Sequence, residues 1–200
     1  MRARMSLLMA KQPIELREIL LKDKPQAMLD ISAKGTVPVL ALACGQVIDE
    51  SLDILKWAVA QNTNSQLNQP NADELTLVAR NDNEFKHWLD RYKYHVGYPE
   101  KPMEFYRDQA MVFLTDLEQQ LAEQGGVNLF SKKQFADIAI FPFVRQFAYV
   151  DKAWFDQLDL PHLQAWLSHW LETELFAYCM QKLSAWQPTE QGVIFSLGSA

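Results

Sequence analysis

The stretch KGTVPVLALACGQVIDES (residues 34–51) restricts the possible folds more than any other part of the chain. Two short apolar segments flank the Cys44-Gly45 dipeptide, which is typical of a tight turn. Apolar segments joined by so short a turn predict an antiparallel hairpin. The sequence SLDILKWAVAQ follows at once, with the apolar spacing of an amphipathic helix. This stretch therefore predicts a hairpin that leads directly into a helix.

The segment before the hairpin alternates helical and strand-like patterns. Arg2–Ala10 has the pattern of a helix, and Ile14–Leu21 has that of a strand. The sequence KPQAMLDIS between this strand and the hairpin predicts a short helix or a turn. Residues 1–61 therefore form a small α/β domain in our interpretation.

The rest of the chain has a different character. Residues 62–72 are polar and rich in asparagine, which indicates an inter-domain linker. Almost every pattern in residues 73–200 is helical, including a strongly apolar helix that contains Pro142 and should be buried and kinked there. The tail from Ser184 predicts no regular structure. We therefore expect an all-helical second domain.

Composition argues against several classes of protein. The net charge is −6, whereas a general nucleic-acid binder needs a cationic surface. No apolar run approaches the roughly 18 residues of a membrane span, and MSLLMA is shorter than the roughly 7–15 residues of a signal sequence core. Cys44 and Cys179 match no metal or redox spacing, so we expect a reducing, cytoplasmic location. His162 and His169 share a helix face, but two ligands do not make a zinc site.

Pro38 stands where the first strand of the hairpin should begin. Proline cannot donate a ladder hydrogen bond, so it belongs either on an edge strand with a trans bond or in a turn with a cis bond. A cis bond would turn the backbone N–H and C=O of Val37 outward, where an extended peptide could pair with them like an added strand. The residues alone leave both alternatives open.

Three polar residues could complete a site for an anionic peptide. Ser51 is a good N-cap for the helix after the hairpin, and the free N–H groups at that helix end would suit a ligand carboxylate. Glu50 could accept hydrogen bonds from a ligand ammonium group, and Lys24 could neutralise a second carboxylate. Each residue has an ordinary structural role as an alternative; together they indicate a site for a peptide with an amino-acid head.

The sequence from MRARMSLL to DILKWA resembles the thioredoxin-fold N-terminal domain of the glutathione S-transferase superfamily. FADIAIFPFVRQF and PHLQAWLSHWL resemble its helical C-terminal domain. The likeness covers nearly the whole chain and is greatest to omega-like and bacterial cysteine-type members. It implies a glutathione site at Lys24, Val37, Pro38, Glu50 and Ser51, with Pro38 in the cis form.

The resemblance also implies an activity and an assembly. Such a protein binds glutathione as co-substrate, without a metal, and transfers or exchanges its thiol with a small electrophile or mixed disulfide. A glutaredoxin-2-like thiol–disulfide oxidoreductase and a non-catalytic glutathione-binding module remain alternatives. The family's usual state is a homodimer. Its members hold the hydrophobic co-substrate on the first helices of the second domain, which here suggests Tyr92, Tyr94 and Tyr106, although aromatics at that spacing are also typical of a core.

The chain departs from the family pattern at its start. Members begin with a strand and a turn that carries the catalytic residue, whereas this sequence opens within the first helix. We therefore expect the catalytic residue upstream of Met1, Met1 to be internal to a longer protein, and this chain to be weakly active or inactive. The absent strand would lie between Ile14–Leu21 and Val39–Leu42, so we expect a gapped or rearranged sheet.

A second departure lies at the buried helix of the helical domain. Family members have a Ser/Thr-x-x-Asp capping box there, and this chain has Gln134 and Asp137 in the corresponding places. Glutamine is a poorer N-cap than serine. Ser131–Gln134 offers a rival capping box. We expect Gln134 and Asp137 to have a structural role at this helix start.

Overall fold

A computed structural model describes residues 1–61, 67–130 and 134–196 of the chain. Its helices, in chain order, are α1 (Arg2–Met9), α2 (Gln26–Ile31), α3 (Ser51–Gln61), α4 (Ala72–Arg80), α5 (Lys86–Lys93), α6 (Met103–Glu123), α7 (Phe135–Ala148), α8 (Lys152–Phe155), α9 (Pro161–Glu172) and α10 (Glu174–Cys179). Its strands are β1 (Ile14–Leu16), β2 (Leu40–Ala41), β3 (Val47–Ile48) and β4 (Val193–Phe195).

The chain divides into two compact units. The first comprises Met1–Leu67 and Glu174–Ala200, and the second comprises Asn68–Thr173. The end of the chain therefore belongs with the α/β part, whereas the sequence suggested one helical domain over residues 73–200. The proposed linker, 62–72, lies partly outside the described residues.

The hairpin prediction is confirmed. β2 and β3 pair antiparallel, with Leu40 opposite Ile48 and Ala41 opposite Val47. Gly45 has a φ of 88° at the turn, a conformation that suits a residue without a side chain. The predicted amphipathic helix follows as α3. It buries Ile54, Leu55 and Ala58, while α1 buries Met5 and Leu8, and the contact between these two helices forms the core of the first unit.

The tail of the chain contains a strand that the sequence did not predict. β4 pairs antiparallel with β1, with Ile14 opposite Phe195 and Leu16 opposite Val193. The Phe195 ring is buried, and its centroid lies 5.1 Å from that of Tyr178 in α10. The expectation of an irregular tail is therefore wrong for Val193–Phe195, because pairing with a distant strand gives this segment its structure.

The strands of the first unit form two separate sheets. Over the described residues, β1 pairs with β4 and β2 pairs with β3, and no strand joins the two pairs. β1 ends at Leu16, whereas the sequence pattern extended this strand to Leu21. The divided arrangement is the kind of sheet that we expected. That Met1 is internal to a longer protein stays a prediction.

The second unit is a bundle of helices around α7. Eleven of the fourteen residues of α7 are buried, including Pro142 within it, as the apolar sequence predicted. A five-residue π-helical turn at Asn81–Phe85 joins α4 to α5. Phe85 from this turn stacks on Phe113 of α6 at 5.0 Å between ring centroids. Pro161 begins α9, as expected for a proline in the first helical turn.

Candidate functional site

Two of the predicted site residues of the first unit, Glu50 and Ser51, lie at the start of α3, and Val37 and Pro38 lie just before the hairpin that leads into this helix. The Val37–Pro38 peptide bond is cis, in agreement with the expectation that the family resemblance gave. The Val37 side chain is about half exposed. β2 begins two residues after Pro38, and β3 of the same hairpin ends two residues before Glu50. The hairpin therefore connects the Val37–Pro38 bond to the start of α3 along the chain.

The start of α3 differs by one residue from the predicted one. The Ile54 N–H donates to the Glu50 carbonyl at 3.0 Å, which makes Glu50 the capping position and Ser51 the first helical residue. The role of Ser51 as N-cap is therefore wrong. Both residues still lie at the N-terminus of an eleven-residue helix, where unpaired N–H groups and the positive end of the helix dipole favour an anion.

Lys34 is part of this site, and sequence reasoning missed it. Its Nζ donates to Glu50 Oε1 at 2.8 Å and to Asp49 Oδ1 at 3.3 Å. Hydrogen bonds to Glu50 and then Asp49 raise the pKa of the Lys34 ammonium group. Ser32 Oγ donates to Asp49 Oδ2 at 3.3 Å. The only signal in the sequence was that Lys34 belongs to the basic segment before the hairpin, and spacing alone does not pair it with Glu50.

Lys24 reaches the same loop from the start of α2. Its Nζ lies 3.9 Å from the position that a Cβ on Gly35 would occupy. Gly35 has a φ of 58°, in the left-handed region. The Lys34 ammonium group thus lies at the carboxylates of Asp49 and Glu50, and the Lys24 ammonium group lies near Gly35 of the loop that contains Lys34. A site with both signs of charge can complement a zwitterionic ligand.

The three tyrosines suggested for a hydrophobic co-substrate have different environments in the second unit. Tyr92 is fully buried, and its ring lies 5.0 Å from that of Phe147. Tyr106 is also buried, with its hydroxyl 3.0 Å from the Tyr98 carbonyl oxygen. Tyr94 is exposed over 56% of its surface. The structure therefore makes Tyr92 and Tyr106 core residues and leaves Tyr94 available to a ligand.

Gln134 and Asp137 do not form a reciprocal capping box. Gln134 is the N-cap residue of α7, but its side chain makes no capping hydrogen bond. Asp137 is fully buried and accepts from the Leu129 N–H at 3.0 Å and from Trp166 Nε1 at 2.7 Å. Burial raises the pKa of the Asp137 carboxyl to about 7. Asp137 therefore holds the preceding loop and α9 against α7. The rival box over Ser131–Gln134 falls mostly outside the described residues.

The described residues offer little other chemistry. Cys44 is exposed near the hairpin turn, and Cys179 is buried. Burial raises the pKa of the Cys179 thiol, which disfavours the reactive thiolate. No cluster of three or more His, Cys, Asp or Glu side chains within residues 1–61, 67–130 and 134–196 could hold a metal ion. No helix in these same segments is long and apolar enough to cross a membrane.

Two family models match the chain. A model of the glutathione S-transferase N-terminal domain matches residues 1–66. A model of the glutathione S-transferase C-terminal domain matches residues 86–169. Together the two matches cover well over half of the chain. No curated protein matches it.

Solved structures share the fold at low sequence identity. Gtt2 from Saccharomyces cerevisiae is 20% identical, with 90% of this chain and 94% of that chain covered and a TM-score of 0.68. A glutathione transferase family member from Pseudomonas fluorescens pf-5, with two glutathione bound, is 16% identical, with coverage of 89% and 86% and a TM-score of 0.74. A glutathione transferase from Pseudomonas putida, with one glutathione disulfide bound per subunit, is 19% identical, with coverage of 89% and 84% and a TM-score of 0.74. With its thioredoxin-like N-terminal domain of few strands and its helical C-terminal domain, the chain belongs to the glutathione S-transferase superfamily.

Proposed function

We propose that this protein binds glutathione at the start of α3. The observation that carries the proposal is the position of Glu50 and Ser51 at the helix N-terminus, with Lys34 bound to Glu50 and Lys24 close to Gly35 beside Lys34. Family membership supports the same ligand, as do the relatives described with glutathione or glutathione disulfide bound.

Each group has a role in this proposal. The Ser51 hydroxyl and the N–H groups of the first turn of α3 donate hydrogen bonds to the carboxylate of the γ-glutamyl residue. Glu50 accepts hydrogen bonds from the ammonium group on the same carbon. The backbone of Val37, ahead of Pro38, pairs with the cysteinyl residue, and Lys24 neutralises the glycyl carboxylate.

The Lys34 ammonium group must move away from the Glu50 carboxylate before this ligand can bind. This group holds Glu50 Oε1 at 2.8 Å, which is the position that a ligand ammonium would take. Both side chains are more than half exposed, at 53% for Lys34 and 60% for Glu50. An exposed ion pair is weak, so exchange of one ammonium group for another is inexpensive.

The activity that we propose is transfer or exchange of the glutathione thiol with an electrophile or a mixed disulfide, as in the family. A second candidate, a glutathione-binding module without catalysis, is favoured by the state of the cysteines. Cys179 is buried with a raised thiol pKa, and Cys44 lies in the hairpin turn rather than at the start of α3. Homodimerisation is part of the proposal and is testable by light scattering coupled to size-exclusion chromatography.

Calorimetric titration of glutathione tests the binding proposal. We expect Glu50→Gln and Ser51→Ala each to weaken binding by about five- to tenfold, because Glu50→Gln removes the charge that pairs with the ligand ammonium group and Ser51→Ala removes a hydroxyl donor to the ligand carboxylate. Asp53→Asn is the matched control, since Asp53 is an exposed carboxylate in the first turn of the same helix. Equal affinity for glutathione in wild type and Glu50→Gln would place the site elsewhere.

Turnover separates the two candidate functions. The probe is 1-chloro-2,4-dinitrobenzene with glutathione, read as formation of the conjugate. A rate above the uncatalysed reaction that falls in Glu50→Gln favours the transferase. Glutathione binding by calorimetry without any rate enhancement favours the binding module.

A further inference from the structure

We propose that Glu74 and Asp137 share one proton, and that this proton holds the start of α4 against α7. Both residues are fully buried in the second unit, and α4 packs on α7. Glu74 lies in the first turn of α4 and Asp137 in the first turn of α7. Both belong to Asn68–Thr173, so the proposal does not depend on glutathione binding.

Each of the two carboxyl groups has one oxygen without a donor among the described residues. Glu74 Oε2 accepts from the Asn71 N–H at 3.0 Å, whereas Glu74 Oε1 has no partner. Asp137 Oδ1 accepts from Leu129 and Trp166, whereas Asp137 Oδ2 has no partner. A buried acceptor without a donor costs free energy. A proton on Asp137 Oδ2 that is donated to Glu74 Oε1 satisfies both oxygens at once.

The acidity of Asp137 indicates which carboxyl carries the proton. Burial and, to a smaller extent, the negative charge of Glu74 raise the pKa of Asp137 to about 7. Two carboxylates in one buried site cannot both ionise without a large cost. Below neutral pH, Asp137 is therefore the neutral donor and Glu74 the charged acceptor.

Other charged groups do not compensate this pair. Among the described residues, no basic side chain is one of the main influences on the pKa of Asp137. Arg145, on the same helix as Asp137, lies in the last turn of α7. Ionisable groups on the surrounding helices pair with one another: Arg80 with Asp116, His162 with Glu118, and Lys86 with Asp90.

Both residues also have an ordinary explanation. Glu74 completes a reciprocal capping box with Asn71, and Asp137 holds Leu129 and Trp166. These roles use one oxygen of each carboxyl and require no shared proton. The test must therefore follow the proton itself, because loss of stability in a variant is expected from either role.

Loss of the proton should release α4 rather than α7. Above neutral pH the pair carries two buried negative charges and no hydrogen between them. Asp137 stays bound to a loop and to α9 through Leu129 and Trp166, whereas the hydrogen bond described for the Glu74 carboxyl stays within its own turn. The first turn of α4 is thus the part of the pair that can move. The pair therefore acts as a pH-dependent latch on this helix.

Titration of the aspartate carboxyl carbons of the full chain by ¹³C NMR tests the shared proton. The Asp137 signal is the one that disappears in Asp137→Asn. Glu74→Gln keeps an oxygen for Asn71 and supplies an N–H donor to Asp137 Oδ2. We therefore expect the pKa of Asp137 to fall by about one unit or more in this variant. Asp73→Asn, at the exposed neighbour of Glu74, is the matched control and should leave this pKa unchanged.

A third variant separates a hydrogen bond from a charge effect. Glu74→Met removes the negative charge without supplying a donor, so the pKa of Asp137 should fall less than in Glu74→Gln. An equal fall in these two variants would mean that only the charge of Glu74 acts on Asp137. That result, an unchanged pKa in Glu74→Gln, or an equal fall in Asp73→Asn would each overturn the shared proton.

Hydrogen exchange of the α4 amides tests the latch. We expect their protection factors in wild type to fall about tenfold between pH 6 and pH 8.5, because ionisation of Asp137 favours opening of this helix. The amide of Asp137→Asn donates to Glu74 at every pH, so α4 should stay protected in this variant. The amides of α6 are the reference within the same molecule, and circular dichroism checks folding. Protection of α4 that is independent of pH in wild type, or that falls equally in Asp137→Asn, would contradict the latch.

Discussion

At the scale of single residues, the Lys34 ammonium group occupies the Glu50 carboxylate in the proposed glutathione site. This group bridges Asp49 and Glu50, so a ligand ammonium must compete with it. Lys34→Gln keeps a hydrogen-bond donor and removes the charge. We expect this variant to bind glutathione more tightly, by less than about fivefold, because exposed ion pairs are weak. Weaker binding by calorimetry would show that Lys34 itself contacts a carboxylate of the ligand.

Asp137 makes the stability of the second unit depend on pH. Burial raises the pKa of its carboxyl from 3.8 to about 7, so the folded chain holds this proton more tightly than the unfolded chain. The free energy of unfolding therefore contains a contribution that is complete below pH 3.8 and is lost as pH rises to about 7. At 1.36 kcal/mol per pKa unit, the difference between the unfolded and folded pKa values of Asp137 corresponds to roughly 4 kcal/mol.

Urea unfolding at pH 4.5 and pH 8 checks this expectation. Asparagine at position 137 can still accept from Leu129 and Trp166 but does not titrate, so Asp137→Asn should lose much less stability between the two pH values than wild type does. Asp159→Asn, at an exposed aspartate of the same unit, should behave like wild type. The same pH dependence in wild type and Asp137→Asn would contradict the role of Asp137.

At the scale of elements, α9 is capped by a side chain from α6. Glu118 accepts from the Leu163 N–H at 2.7 Å, from the His162 N–H at 3.1 Å, and from His162 Nδ1 at 2.7 Å. Burial acts to raise the pKa of the Glu118 carboxyl, but these hydrogen bonds outweigh it and lower the pKa from 4.5. Because the pKa of Glu118 is lowered, its ionised carboxylate stabilises the folded chain above about pH 4.5, and this stabilisation is lost as pH falls further.

Removal of this cap should destabilise the second unit. We expect Glu118→Ala to lower the free energy of unfolding at pH 7 by about 1–2 kcal/mol, the range measured for loss of an N-cap. Glu123→Ala is the comparison, because Glu123 is exposed on the same helix and accepts only from Gln119 among the contacts described. The difference between the variants should shrink towards pH 3. Equal thermal midpoints at pH 7 would show that the cap contributes nothing.

At the scale of the whole molecule, the return of the tail to β1 depends on Gly192. A Cβ at this position would lie 2.6 Å from Glu15 Cγ and 2.9 Å from the Leu16 carbonyl oxygen. The Glu15 side chain could move away, but the Leu16 backbone belongs to β1 and cannot. Gly192→Ala should therefore separate β4 from β1 and destabilise the first unit by about 1–3 kcal/mol, as overpacking does.

Limited proteolysis of the tail measures this separation directly. Cleavage between Trp186 and Phe195 should become faster in Gly192→Ala than in wild type. Gly97→Ala is the matched control, because a Cβ there meets nothing within 4 Å. Unchanged cleavage in Gly192→Ala would mean that the tail does not rely on this close approach.

Local patterns predicted the elements better than the contacts between them. The hairpin, α3, α9 and the buried α7 follow from turn residues, proline positions and apolar spacing over a few residues. The sequence pattern placed the end of β1 at Leu21 instead of Leu16 and the N-cap of α3 at Ser51 instead of Glu50. The boundaries of an element depend on its hydrogen-bond partners, which local patterns do not identify. Glu50 and Ser51 were foreseeable as neighbours at a helix start, whereas the ion pair between Lys34 and Glu50 was not.

The sequence by itself determined most of the elements before the tail, including the hairpin, α3, α7 and α9, since apolar periodicity and turn chemistry act within short segments. Only the tertiary structure decided which distant groups meet. Asp137 and Trp166 are 29 positions apart, Glu118 and His162 are 44 apart, and Glu15 and Gly192 are 177 apart. Such pairs satisfy buried or unpaired polar groups once the chain has packed, and no local pattern encodes which partner will be close enough to do so.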